Sequence, residues 1–96
     1  WKDSIGNYGY SVCYGIIVIN IKKIIIDYNL YCQFYDQDKH NFTQKYFRDT
    51  DIEVGLGKSA TIDGTGKWLK YINSGCEYAI NYVDKALFLN ERCKKP

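Results

Sequence analysis

Between Ser11 and Ile19 the chain reads Ser-Val-Cys-Tyr-Gly-Ile-Ile-Val-Ile. In an extended strand, Cys13, Gly15, Ile17 and Ile19 share one side, and Val12, Tyr14, Ile16 and Val18 share the other. Both sides are apolar, which predicts a central strand buried on both faces. Asn20 to Lys23 turns the chain. The next run, Ile24 to Asp36, alternates from residue 26 onward. Ile26, Tyr28, Leu30, Cys32 and Phe34 fall on one face, and Asp27, Asn29, Tyr31, Gln33 and Tyr35 on the other. Period two over this length predicts a half-buried strand with one polar face.

Residues 36–51 are polar and charged, with Phe42, Tyr46 and Phe47 embedded. They read as an inserted loop, with a short helix at its centre because Phe42 and Tyr46 are one helical turn apart. Ile52 to Leu56 alternates and predicts a short third strand. Ser59 to Ile62 and Lys67 to Ile72 flank Asp63-Gly64-Thr65-Gly66, which predicts a hairpin. Cys76 to Val83 and Ala86 to Cys93, joined at Asp84-Lys85, predict a last pair of strands. No long helix and no repeat stands out. The fold expected is an all-β, six-stranded antiparallel β-sandwich, one domain over residues 1–96.

A domain of 96 residues has a thin core, and covalent staples are a common remedy. Cys13, Cys32, Cys76 and Cys93 are read as two disulfides in an oxidising compartment, with all three connectivities open. There is no C-x-x-C, and His40, the one histidine, has no cysteine near it in sequence, so no metal and no cofactor is expected. Thirteen basic and eleven acidic residues leave a net charge of +2, too slight to argue for nucleic acid. Ten tyrosines suit a half-covered sheet or a binding surface equally. The apolar run Ile16 to Ile21 is broken by Asn20 and is too short to span a bilayer. The start, Trp1-Lys2-Asp3, reads as a mature form with a signal peptide removed. Asn41-Phe42-Thr43 is a glycosylation triplet and is expected in a surface loop.

Motifs that would carry catalysis fail on inspection. Gly57-Lys58-Ser59 lacks the glycine a phosphate loop needs five positions earlier, where Ile52 stands. Asp36 and Asp38 open like a calcium loop, but Asn41 and Phe47 occupy its glycine and glutamate positions. His40 lies in the most polar stretch and reads as a solvated loop residue. No catalytic residue is assigned, and the chain is not expected to be an enzyme.

The cysteine-bearing runs carry a resemblance. Cys13 opens a β-rich run ending Val-Ile-Asn, Cys32 follows, Ser74-Gly75-Cys76-Glu77-Tyr78-Ala79-Ile80-Asn81 leads into an alternating strand, and a last strand ends at Cys93. Over residues 11–32 and 74–93 this order resembles the MAX effectors of plant-pathogenic fungi, small secreted six-stranded β-sandwiches that include blast-fungus avirulence proteins and the ToxB-type toxin. The resemblance implies pairing of Cys13 with Cys76 and of Cys32 with Cys93. It implies a secreted virulence or avirulence protein, translocated into the host cell, that binds a plant protein such as a heavy-metal-associated domain, or an immune receptor. Independently of the resemblance, the protein is expected to be a monomer, and without a larger basic excess or an amphipathic segment no membrane insertion is expected. Family members extend a partner's sheet through an edge strand, here the second, with Asp27, Asn29, Tyr31 and Tyr35 as contact residues. The rival expectation is a small secreted toxin or an enzyme inhibitor acting through residues 36–51.

Overall fold

A computed structural model describes residues 1–22, 25–47, 56–84 and 86–94. Its strands are β1 (Gly9–Ile19), β2 (Ile25–Asp36), β3 (Asn41–Phe47), β4 (Leu56–Gly64), β5 (Gly75–Val83) and β6 (Ala86–Cys93), with a 3₁₀ helix (Gly66–Tyr71) after β4. The six strands form an antiparallel sheet stapled by two disulfides, as the alternation and the cysteines lead one to expect. They are hydrogen-bonded in chain order, β1 through β6, as one continuous sheet. The radius of gyration is 13.9 Å. A compact chain of this length has about 12.5 Å, so the sheet is drawn out.

The disulfides join Cys13 to Cys32 and Cys76 to Cys93. This overturns the pairing of 13 with 76 and 32 with 93. In the β1–β2 register Cys13 lies directly opposite Cys32, and in the β5–β6 register Cys76 lies directly opposite Cys93. Each pair has its Cα atoms 4.0 Å apart. Cys13 and Cys76 stand on strands four places apart in the sheet, out of reach of a bridge. Each bridge therefore closes a single hairpin, and the chain-entropy model gives about 3 kcal/mol for a loop of that size.

The strand order also corrects three other expectations. β1 is an outer strand of the described sheet and is exposed on both faces, so its apolar run does not mark a central strand. The segment 41–47 within the expected loop is β3, neither loop nor helix, with Phe42, Gln44 and Tyr46 buried in alternation. Asn41 of the glycosylation triplet thus opens a strand. Lys67 to Tyr71 lies in the 3₁₀ helix instead of a strand. There its three-residue period brings Trp68 and Tyr71 together, ring centroids 5.8 Å apart. Residues 48–55, which hold most of the expected third strand, lie outside the described residues.

One face of the sheet carries the core. Cys32, Tyr46 and Tyr78 are buried together there, against Tyr28, Leu30, Phe34 and Ile80. Gly57 is fixed by this packing, since a Cβ would enter the Tyr78 ring. At one end an aromatic cluster closes the face. Phe34 and Phe42 stack at 4.8 Å, Trp68 lies 4.4 Å from Phe42, and Trp1 meets both phenylalanines edge-on.

Asp36 anchors that end. Its carboxylate accepts from Trp68 Nε1 at 2.7 Å and from the backbone N–H groups of Asp38 and His40 at 2.8 and 2.9 Å. This shapes the turn between β2 and β3, where Lys39 takes a left-handed φ of 66°. Lys67 Nζ reaches Asp36, Asp38 and the buried Asn7, and so ties the first eight residues to the sheet.

Candidate protein-binding surface

The opposite face of β1, β2 and β3 is built by the same alternation. Register sets Tyr10 against Tyr35, Val12 against Gln33, Tyr14 against Tyr31, Ile16 against Asn29 and Val18 against Asp27. The tyrosines meet ring to ring. Tyr10 and Tyr35 stack with centroids 4.8 Å apart and planes 17° off parallel, and Tyr14 and Tyr31 stack at 6.2 Å and 24°. Lys45 on β3 places Nζ 5.9 Å from the Tyr31 ring centre, within cation–π range. Tyr35 donates its hydroxyl proton to Gln33 Oε1 at 2.8 Å.

The four residues expected to touch a partner, Asp27, Asn29, Tyr31 and Tyr35, do share this face. Asp27 and Asn29 are exposed; Tyr31 and Tyr35 are half-buried under the β1 tyrosines. Asp27 is partly engaged, accepting from the Tyr28 N–H at 2.8 Å. From Asn29 to Tyr35, however, β2 is paired with β1 on one side and β3 on the other, so Asn29, Tyr31 and Tyr35 lie on no open edge. That correction moves the surface outward by one strand. Tyr10 is 63% exposed, Val12 54%, Tyr14 65% and Ile16 71%, and sequence reasoning placed Val12, Tyr14 and Ile16 inside. One signal was available: no charged residue lies between Asp3 and Lys22. A long uncharged, β-branched run fits an interface strand as well as a buried one.

The backbone of β1 is also partly open. Cys13 and Cys32 form the close, non-hydrogen-bonded kind of antiparallel pair, so the Cys13 N–H and C=O point away from β2. Period two gives Ser11, Gly15 and Ile17 the same direction. Gly9 shares their parity, and its outward groups are taken: Trp1 N donates to Gly9 O at 2.9 Å and Gly9 N to Trp1 O at 3.1 Å. Lys2 bridges Tyr8 in the same antiparallel sense. The first residues thus seal the beginning of the β1 edge. Among the described residues nothing pairs with the edge from Ser11 onward.

A second polar cluster lies on the core face beside Cys76–Cys93. Ser59 Oγ donates to Glu91 Oε1 at 2.7 Å, and the Tyr46 hydroxyl lies 2.6 Å from Glu91 Oε2 and 2.7 Å from Gln44 Oε1. The face is concave enough for Tyr46 on β3 to reach Glu91 on β6 across two strands. Burial pushes the Glu91 carboxyl above its usual range, and the hydrogen bonds from Tyr46, Ser59 and Gln44 only partly offset it. Burial and the neighbouring Glu91 push the Tyr46 phenol up as well. One phenolic proton cannot serve both oxygens. At any one time the Tyr46 hydroxyl therefore donates to either Glu91 or Gln44.

Cys76, Glu91 and Cys93 put potential ligand atoms together, but both sulfurs are spent in the disulfide. The cluster is a closed hydrogen-bond network with its groups satisfied by one another. His40 is exposed and near Thr65 Oγ1, at 3.4 Å. Compared with protein-family models, with curated proteins and with solved structures, the chain matches none of them.

Proposed function

We propose that the protein is a secreted effector that acts by binding another protein and performs no catalysis. The observation that supports this reading is the outward face of β1 and β2. Stacked tyrosines, with Val12 and Ile16 beside them, present aromatic and branched side chains to solvent on a sheet held by a disulfide. Such rings supply large contact area with few rotatable bonds, and they dominate the energetic centres of protein interfaces. A partner with a complementary apolar groove and an acidic group near Lys45 fits this face.

The finer reading is a MAX-like effector of a plant-pathogenic fungus, delivered into the host cell, where it engages a heavy-metal-associated domain or an immune receptor. Size, strand number and the sequence order around the cysteines support it. The bridges within hairpins depart from the pairing that the resemblance implies, so the family reading rests on those features and not on the disulfides. The binding face rests on β1 and β2 alone.

The test is titration calorimetry of the oxidised protein against a panel of recombinant plant heavy-metal-associated domains. Binding by the wild type, weakened at least tenfold in Tyr14→Ala/Tyr31→Ala, supports the reading. Affinity untouched by that double substitution overturns the proposed face. No binding to any domain overturns the assigned partner class.

A further inference from the structure

The edge of β1 fits a second copy of itself. We propose that the protein forms a two-fold symmetric dimer by antiparallel pairing of β1 with β1, joining the two sheets into one.

Both limits of the open edge are fixed by the fold. Trp1 occupies Gly9 at one end. At the other, the β1–β2 register shifts between Val18 and Ile19, which ends the regular ladder. Between them, Ser11, Cys13, Gly15 and Ile17 aim their backbone groups outward, and the midpoint of that set is Tyr14. A two-fold axis at Tyr14 pairs Ser11 with the second copy's Ile17 and Cys13 with its Gly15, both as hydrogen-bonded pairs. Every outward group between the two limits is then used. Gly15, with no side chain, leaves room opposite the Cys13–Cys32 bridge.

On the outer face the same axis sets Tyr14 against Tyr14 and Val12 against Ile16, with Tyr10 near Val18. Aromatic and β-branched cross-strand pairs are the favourable ones. Charge permits the match, since no charged residue lies between Asp3 and Lys22 and self-pairing brings no like charges together. Edge strands that stay unpaired are usually guarded by lysine, proline or a mid-strand bulge. β1 has no lysine or proline, and its one irregularity lies at its end. The other outer strand, β6, carries Glu91 and Arg92. A two-fold contact uses the β1 edges of both copies at once, so no β1 edge is left for a third copy. The dimer would set two tyrosine faces side by side, and it does not depend on the partner proposed above. A monomer was expected from the sequence; the free edge is the reason to expect otherwise.

Sedimentation velocity of the intact, oxidised protein across a concentration series tests this. The wild type is expected to dimerise below millimolar concentration. Val12→Lys/Ile16→Lys places lysines opposite one another and is expected to weaken the dimer at least a hundredfold. Val12→Lys/Ile16→Glu places opposite charges across the axis and is expected to hold the dimer within tenfold of wild type at low salt, weakening as salt rises. Circular dichroism and non-reducing mass mapping check that each variant is folded and bridged. A wild type that stays monomeric, a lysine pair that still dimerises, or a mixed-charge variant that fails as the lysine pair does would each overturn the pairing. Loss of dimerisation leaves the calorimetric test of partner binding standing, and the reverse also holds.

Discussion

The two disulfide hairpins are built alike and live in different surroundings. Each bridges residues directly opposite on adjacent strands, with sequence separations of 19 and 17. Each also carries one carboxylate on the core side, Asp36 at the end of β2 and Glu91 on β6. In the first hairpin, burial tends to push the Asp36 carboxyl up, but donation from Trp68 and from two backbone N–H groups, with Lys67 nearby, holds it below the usual range. In the second, Glu91 faces hydroxyl and amide groups, no cation stands beside it among the described residues, and burial wins. The comparison teaches that burial alone does not set the sign of a carboxyl shift. The number of committed N–H donors and the presence of a cation decide it.

Removing the bridges should give the largest effect. Cys13→Ala/Cys32→Ala is expected to lose about 3 kcal/mol in urea unfolding, from the loop entropy alone. Cys76→Ala/Cys93→Ala should lose about 1 kcal/mol more, because Cys32 and Cys76 are similarly buried but only the second bridge has the Gln44 amide 3.8 Å from both sulfurs. Equal losses would mean that the two bridges act only through the unfolded chain.

Asp36→Asn should come next, at about 2 kcal/mol, since hydrogen bonds to a charged acceptor are lost. Its pH signature has a definite sign. A carboxyl depressed in the fold contributes stability above its unfolded value of 3.8, and loses it as pH falls through the lower folded value. Wild type should therefore weaken below pH 3.8, and Asp36→Asn should lack that component. Glu91→Gln is expected to change stability least, by about 1 kcal/mol or less at neutral pH. Here the slope runs the other way. A carboxyl raised in the fold keeps its proton after the unfolded chain has lost its own, so stability falls as pH rises above 4.5 towards the folded value. Glu91→Gln should flatten that fall, and urea unfolding at several pH values reads both variants.

Much of the sheet was written in alternation. β2, β5 and β6 follow period-two patterns that place the cysteines correctly on the core face. β3 escaped because one of its inward residues is Gln44, and a buried amide erases the apolar rhythm between Phe42 and Tyr46. That amide is buried for a partner three strands away, near Cys93, which no local window contains. The 3₁₀ helix escaped for a similar reason, since Trp68 turns inward to reach Asp36, 32 residues earlier. β1 was misplaced because hydrophobic content reports a tendency to be covered without saying by what. Of the candidate surface, the face of β2 was legible, and the strand beside it was not.

The seam between Trp1 and Gly9 has a practical corollary. Lys2 faces Tyr8 and Trp1 faces Gly9, so the direction of travel at that end is antiparallel to β1. Residues joined ahead of Trp1 would be steered past Tyr10 and Ser11, along the very edge left vacant. Any residues preceding Trp1, a purification tag included, would therefore occupy the position of a competing strand.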